Sequence, residues 1–329
     1  MFEPALKRLA SLRLTSALLL GLGVGVIAGW HDAAARSPWC EAACAGLVGN
    51  LLAALVVNPR LRRQRGLLVF HAGLAALFAL AVASRALRFQ GEVEIVTGQA
   101  FDAAIVNVVE EGSWHRRATL GTVAFEQRGF RVDYGPHLVR GRTQSEVLVD
   151  GRTIDVDDTH ALATQGYRFV LTPNKGYALI VSWVDERGGT STGAVNLPSF
   201  PLRDWNQRNR WRTPGGEDLE LALVLPQRVP EDRAWMLDSA AAGGDLAVSI
   251  AGTTTTLRPG ATLALSGGRL RFEGVRMWIG YRVRREPLLP WMFVLAVIAL
   301  AGLGAHCWQR FGARVQVSDR LRDGSRVHV

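Results

Sequence analysis

Cysteine is scarce in this 329-residue chain, and its placement excludes a class of folds. Only Cys40, Cys44 and Cys307 occur, all in or beside apolar stretches. No disulfide framework therefore holds the polar 89–287 segment. That segment must close around an apolar core, for which its length is sufficient. Catalytic signatures are missing too. There is no G-x-S-x-G, no Walker loop and no nucleophile–base pair. No two histidines stand at a metal-site spacing such as H-x-x-x-H. Asp150, Asp155, Asp157 and Asp158 cluster, but lack the alternating ligands and bend glycine of a calcium loop, so they read as a solvated turn. No fixed-period repeat is present.

Charge is nearly absent from four stretches, about Leu12 to Trp30, Cys40 to Val57, Leu67 to Leu87 and Leu288 to Trp308. Each is roughly 20 residues, enough to cross a bilayer core. Net charge is +9 and the isoelectric point is near 10.4. The excess sits at the span ends. Lys7, Arg8 and Arg13 precede the first span, and Arg60, Arg62, Arg63 and Arg65 separate the second from the third. Arg310, Arg314, Arg320, Arg322 and Arg326 follow the fourth. The loop after the first span carries only Arg36. This is the positive-inside pattern, and it removes the nucleic-acid reading that a basic soluble chain would invite. Both termini are expected in the cytoplasm, with the 89–287 segment outside. Ala33-Ala34-Ala35 resembles a signal-cleavage site, but three further spans follow, which favours an uncleaved anchor. Gly21, Gly25 and Gly29 share one helix face and are expected to let a second helix approach.

The fold class expected is an α-helical integral membrane protein of four transmembrane helices, with a large β-rich extracytoplasmic domain between helices 3 and 4. The divisions are 1–88, 89–287, 288–309 and a basic tail at 310–329. In the outer segment, alternating runs predict strands at Gly91–Val96, Phe130–Tyr134, Glu146–Val149, Arg168–Leu171, Leu179–Val184, Leu219–Val224, Leu246–Ile250 and Leu270–Arg276. Turns are predicted at Asp150-Gly151, Asn174-Lys175-Gly176, Arg187-Gly188-Gly189 and Ser266-Gly267-Gly268. A sandwich or open barrel-like sheet follows from that spacing. Asn196–Asp218 reads as a long loop. Its Trp205 and Trp211, with Arg203, Arg208, Arg210 and Arg212, make either an exposed docking patch or a loop lying at the membrane surface. In the tail, Arg314–Val317 and Arg326–Val329 read as a small hairpin.

His71 is the residue to explain. It lies six residues past Arg65, about 9 Å deeper at helical rise. An ionisable group at that depth marks a functional site by default. A neutral imidazole is an iron ligand, or else a space-filling group hydrogen-bonded to a neighbouring helix. The residues alone leave these two even. His306, about 6 Å before Arg310, is the other span histidine and a second candidate ligand. Cys40 and Cys44, four apart, are a candidate redox pair or two small apolar residues; helical spacing makes a poor disulfide. His31, His115, His137 and His160 are expected at the surface.

Five stretches carry a family resemblance: Leu9–Thr15 entering the first span, Asn50–Arg63, Leu67–Leu74 with its histidine, Gln165–Phe169, and Gly280–Pro287 leading into the last span. In this order the chain resembles the ResB family, a membrane component of system II cytochrome c biogenesis. It departs from the family at Ala161, where a proline is usual, at Glu286, where aspartate is usual, and in a short outer domain. The resemblance implies a tryptophan-rich CcsA/ResC-type partner, apocytochrome c as recipient, haem b as transient cargo and His71 as a haem ligand. It places the chain in the cell inner membrane as a multi-pass protein with a periplasmic domain. The bond-forming chemistry would lie mainly in the partner, and no catalytic residue is expected here. Two other readings stand beside it: a non-enzymatic assembly subunit with an outer interaction domain, and a transporter half or sensor without haem.

Overall fold

The computed structural model describes residues 3–31, 33–226 and 229–324. Its helices are α1 (Glu3–Leu9), α2 (Leu12–His31), α3 (Ala33–Val57), α4 (Pro59–Arg63), α5 (Arg65–Leu87), α6 (Arg117–Leu120) and α7 (Leu289–Gly324). The chain divides into two compact units. One holds 1–88, 112–114 and 286–329; the other holds 89–111 and 115–285.

In the helical unit, three segments are long and apolar enough to cross a membrane: Trp39–Val57, Arg65–Leu87 and Leu289–Arg310. A fourth exists only if Glu3–Leu9 and Leu12–Ala28, bent by 44°, count as one. The bend has a local cause. Ser11 Oγ accepts the Leu14 amide at 3.3 Å and restarts the helix. The break frees the Leu9 carbonyl, and Asn50 of α3 reaches it with Nδ2 at 2.6 Å. Asn50 Oδ1 also accepts from Thr15 Oγ1 at 2.7 Å. Asn50 is buried, and a buried amide is tolerable only with such partners. The first two stretches of the family resemblance are thereby joined through one side chain.

Pro59 opens α4, with the Asn58 carboxamide accepting the Arg60 amide at 3.1 Å. This turn brings α5 back beside α3, where Arg85 and Glu41 form an ion pair. α5 and α7 pack through glycine. A Cβ on Gly66 would lie 2.7 Å from the Gly302 carbonyl oxygen and 2.7 Å from the His306 amide. Gly73 faces Ala299. Small residues let the two backbones approach closely. The seam expected along Gly21, Gly25 and Gly29 is only partly present. Gly25 rests on Cys40, Gly21 meets nothing within 4 Å, and Gly29 lies outside the residues described at side-chain level.

The expected tail hairpin is corrected. α7 continues to Gly324, so Arg314–Val317 is helical, and Arg326–Val329 lies outside the described residues. Once a long helix is established, each added residue gains a backbone hydrogen bond, which outweighs a short alternating pattern.

The β domain begins with β1 (Phe89–Val96), β2 (Asn107–Glu111), β3 (Glu126–Tyr134), β4 (Arg140–Val149) and β5 (Arg152–Asp157). Then come β6 (Leu162–Thr164), β7 (Tyr167–Asp185), β8 (Thr190–Ser199), β9 (Arg208–Arg212) and β10 (Asp218–Val224). The last are β11 (Trp235–Asp238), β12 (Asp245–Ile250), β13 (Thr253–Leu257), β14 (Thr262–Leu265) and β15 (Gly268–Arg285). They form a seven-stranded sheet with the path β2-β1-β15-β7-β6, and two four-stranded sheets, β13-β12-β10-β9 and β11-β3-β4-β5. One core joins all three: Phe169, Tyr281 and Val93 from the first, Leu221 and Leu246 from the second, Val132 and Val147 from the third.

Two expectations fail here. The predicted turn Asn174-Lys175-Gly176 does not reverse the chain, because β7 runs through it for 19 residues. Between Lys175↔Ile279 and Leu171↔Tyr281, β7 advances four residues against two on β15, so Asn174 is taken up in a bulge while Lys175 and Gly176 stay paired. The second failure is the long loop. β9 lies inside it and pairs with β10, Trp211 opposite Leu219.

The bulge leaves a lysine inside. Lys175 is 2 % exposed, with its ammonium 5.3 Å from the Tyr134 ring centre. Burial, helped by Arg140, pulls its pKa down to about 8. A lysine that sheds its proton earlier when folded penalises folding fully below pH 8. The penalty fades as pH rises towards the unfolded value near 10.4. Lys175→Met should therefore stabilise the detergent-solubilised protein at pH 7 by about 2–3 kcal/mol. The gain should shrink between pH 8 and pH 10, read by tryptophan fluorescence during denaturation; a gain independent of pH would contradict the assignment. Asn50→Leu should lower stability by about 1–3 kcal/mol, since it strands the Leu9 carbonyl. An unchanged thermal midpoint in detergent would mean that the carbonyl has another donor.

Candidate functional site

α5 carries His71 on a face that is neither buried nor open. Its Nδ1 lies 2.8 Å from the Leu67 carbonyl oxygen, one turn back. A carbonyl only accepts, so Nδ1 holds the proton and Nε2 carries the free lone pair. Nε2 has no partner among the described residues. The Phe70 ring stands edge-on to the imidazole at 5.1 Å. A histidine whose other nitrogen is tied to a backbone carbonyl is oriented as metal-binding histidines are. These residues fit an axial iron ligand.

His306 sits elsewhere in the bundle. Its backbone lies against Gly66, five residues before His71 on α5, about 7.5 Å of helical rise. Its side chain lines a pocket with Asn58, Arg60, Leu61, Gln64, Leu67, Gln309 and Arg310. Cys40 and Cys44 are both free thiols, and the Cys40 sulfur lies against Gly25. Among the described residues no cluster of three or more His, Cys, Asp or Glu can hold a metal ion.

The β domain contains a polar centre that local sequence does not reveal. His115, expected at the surface, has a fully buried side chain. Its Nδ1 is 2.9 Å from Glu111 Oε1, and its Nε2 is 2.6 Å from the Tyr167 hydroxyl. The imidazole stacks on Phe89 at 4.6 Å. Arg117 pairs with the other Glu111 oxygen at 3.2 Å, and the Arg285 guanidinium lies 5.3 Å from the Tyr167 ring centre. Burial raises the Tyr167 pKa, and Arg285 opposes it. Glu111 and His115 stand four apart, which a sequence shows. Tyr167 is 52 positions away from His115, which only folding reveals. His137 and His160 are exposed, as expected.

The two outer stretches of the family resemblance are hydrogen-bonded neighbours. Phe169 pairs with Val283, and Leu171 with Tyr281. Tyr281 buries its hydroxyl against Gln127 Oε1 at 2.6 Å and Ser145 Oγ at 2.8 Å. Glu286, where the family carries aspartate, keeps the carboxylate function: its Oε1 accepts from Arg88 at 2.6 Å. The acidic cluster is solvated only in part: Asp150 and Asp155 are exposed, but Asp157, at the end of β5, has a largely buried side chain paired with Arg142. Within it the Thr159 hydroxyl and amide, with the His160 amide, hold the Asp157 carboxyl well below the usual range.

The expected docking patch divides. Trp211 is half-buried, edge-on to Trp183 at 6.2 Å, because it sits on the inner face of β9. Arg208, Arg210 and Arg212 alternate with it on the outer face, where Arg208 pairs with Glu220 and Arg212 with Asp218. Trp205 is 76 % exposed.

The fold and sites define a protein with three to four helices able to span a membrane and a large β-rich domain, carrying an oriented histidine in one apolar helix. No protein-family profile matches the chain. No curated protein matches it in sequence. Among solved structures, one titled "Cytochrome c Heme Lyase CcmF" is similar with 16 % identity and a TM-score of 0.26, over 89 % of this chain and 34 % of that one. The chain thus spans about a third of that protein's length, and a likeness of this size carries no argument for function.

Replacing His115 with alanine should remove the Phe89 stacking and strand the buried Tyr167 hydroxyl, while the exposed Glu111 keeps its pairing with Arg117. A loss of about 2–4 kcal/mol is expected. Tyr167→Phe should lose less, about 1 kcal/mol. Denaturant midpoints measure both, and a surface histidine would move neither.

Proposed function

We propose that this chain is the ResB-type subunit of a system II cytochrome c haem synthase, embedded in the inner membrane with its β domain in the periplasm. Haem is its cargo, carried through the membrane towards apocytochrome c. The single observation that supports this reading best is the His71 tautomer. The Leu67 carbonyl holds the Nδ1 proton, so Nε2 presents its lone pair from within an apolar helix. The residue resemblance, spread in order over nearly the whole chain, supplies the family.

His71 would offer one axial nitrogen to haem iron, and the low-dielectric surroundings would keep competing water away. One imidazole fills one axial position, so the second ligand would come from the CcsA/ResC-type partner. His306 is the intrachain alternative, but it lies near the basic end, at the level of Gly66 rather than of His71. The β domain would present the partner and the apocytochrome with a rigid face, and thioether formation would belong to the partner chain.

The complex should be purified with its partner and its absorption spectrum recorded. A Soret band is expected in the wild type. It should be lost or strongly reduced in His71→Ala at equal membrane insertion, and added imidazole should restore part of it. A colourless complex whose His71→Ala form matures cytochromes c as well as the wild type would remove the role assigned to His71. Normal cytochrome c maturation in a strain lacking the whole chain would remove the function itself.

A further inference from the structure

The pocket at the basic end of the helical unit is chemically one-sided. An open cleft of about 670 Å³ is bordered by Asn58, Arg60, Leu61, Gln64, Leu67, His306, Gln309 and Arg310. Arg60 comes from α4 and Arg310 from α7; α5, which follows α4, meets α7 at the Gly66–Gly302 contact. Among the described residues no acidic side chain lines the cavity. Among the described residues neither arginine has an ion-pair partner, although Arg85, Arg88 and Arg282 elsewhere all do. Two unpaired guanidiniums beside one cavity repel each other, and an anion between them relieves that repulsion. The planar guanidinium fork suits phosphate oxygens.

Depth sets the ligand. Arg310 closes the apolar segment Leu289–Arg310, so the pocket lies where headgroups lie. Trp308, 81 % exposed on the same turn, is the residue type that anchors at that level. Leu61 and Leu67 give the cavity an apolar wall beside its polar one. We infer that this pocket is a specific site for the phosphate headgroup of an anionic phospholipid, with Arg60 and Arg310 gripping the phosphate and Gln64, Gln309 and His306 contacting the rest of the headgroup. Basic pockets between membrane helices hold anionic headgroups on this physical ground. The site is separate from His71, which does not line it, and does not depend on the haem reading.

The test uses the full chain in nanodiscs of phosphatidylcholine with a minor share of phosphatidylglycerol, and counts retained lipids by native mass spectrometry. The wild type should keep phosphatidylglycerol selectively. Arg60→Gln with Arg310→Gln should lower that retention about tenfold or more. Arg62→Gln with Arg63→Gln, on the same short helix but outside the pocket, should leave it nearly unchanged. Equal loss in both double variants would reduce the effect to general basic attraction and overturn the site. So would wild-type protein with no preference between the two lipids. Displacement of the lipid by stoichiometric haem would reassign the pocket to a porphyrin carboxylate and overturn the phospholipid assignment.

Discussion

The antiparallel ladder between β7 and β15 is the constraint on which the β domain depends. Two strands of 19 and 18 residues pair from Gly268↔Asp185 to Arg284↔Arg168. Each then serves as a template along its other edge: β14 and β1 on β15, β6 and β8 on β7. Because side chains alternate strictly along a strand, one register fixes which face every residue takes. That register sends Tyr167, Phe169, Tyr281 and Val283 into a common core and leaves Arg168 and Arg284 outside. The bulge opposite Ile279 and Tyr281 lets so long a ladder bend without breaking.

The core that forms on this ladder is not purely apolar. Tyr281, Gln127 and Ser145 satisfy one another where β15 meets β3 and β4, and the His115 imidazole and Tyr167 hydroxyl do so beside Phe89. Buried polar groups with complete partners favour one arrangement over slipped ones, since any slip leaves several of them stranded. The helical unit follows the same rule. Asn50 compensates for the break between α1 and α2, and the Leu67 carbonyl fixes the His71 ring. In each case the chain introduces a polar group into an apolar setting and supplies its partner from a residue fixed by packing.

Much of the architecture was legible in the chain. Long, nearly charge-free runs marked the apolar helices, because continuous hydrophobic stretches are stable in a bilayer and few soluble segments have them. Period-two alternation located strands at Phe130–Tyr134, Leu219–Val224 and Leu246–Ile250. Asp150-Gly151 was legible as a turn, and both residues take positive φ, 49° and 77°. Asn174-Lys175-Gly176 has turn-like composition too, yet it stays within β7, with Asn174 in a bulge and Lys175 and Gly176 paired to Ile279 and Trp278. Composition records that the backbone must deviate there, while the neighbouring strand decides whether it reverses. β9 was hidden because its outer face is arginine and its inner face holds one tryptophan, too few apolar residues to show a period.

The sequence by itself determined the membrane-type helices, their basic ends, the β character of the segment between them and His71 as the residue to explain. All of these follow from local composition and spacing, which act over a few residues. Only the tertiary structure decided which nitrogen of His71 is free, that His115 is buried with Tyr167, that Trp211 faces inward, and that Arg60 and Arg310 share a pocket. Each of these depends on the orientation of one side chain or on contacts between residues far apart in the chain, set by helix approach and strand register rather than by residue type.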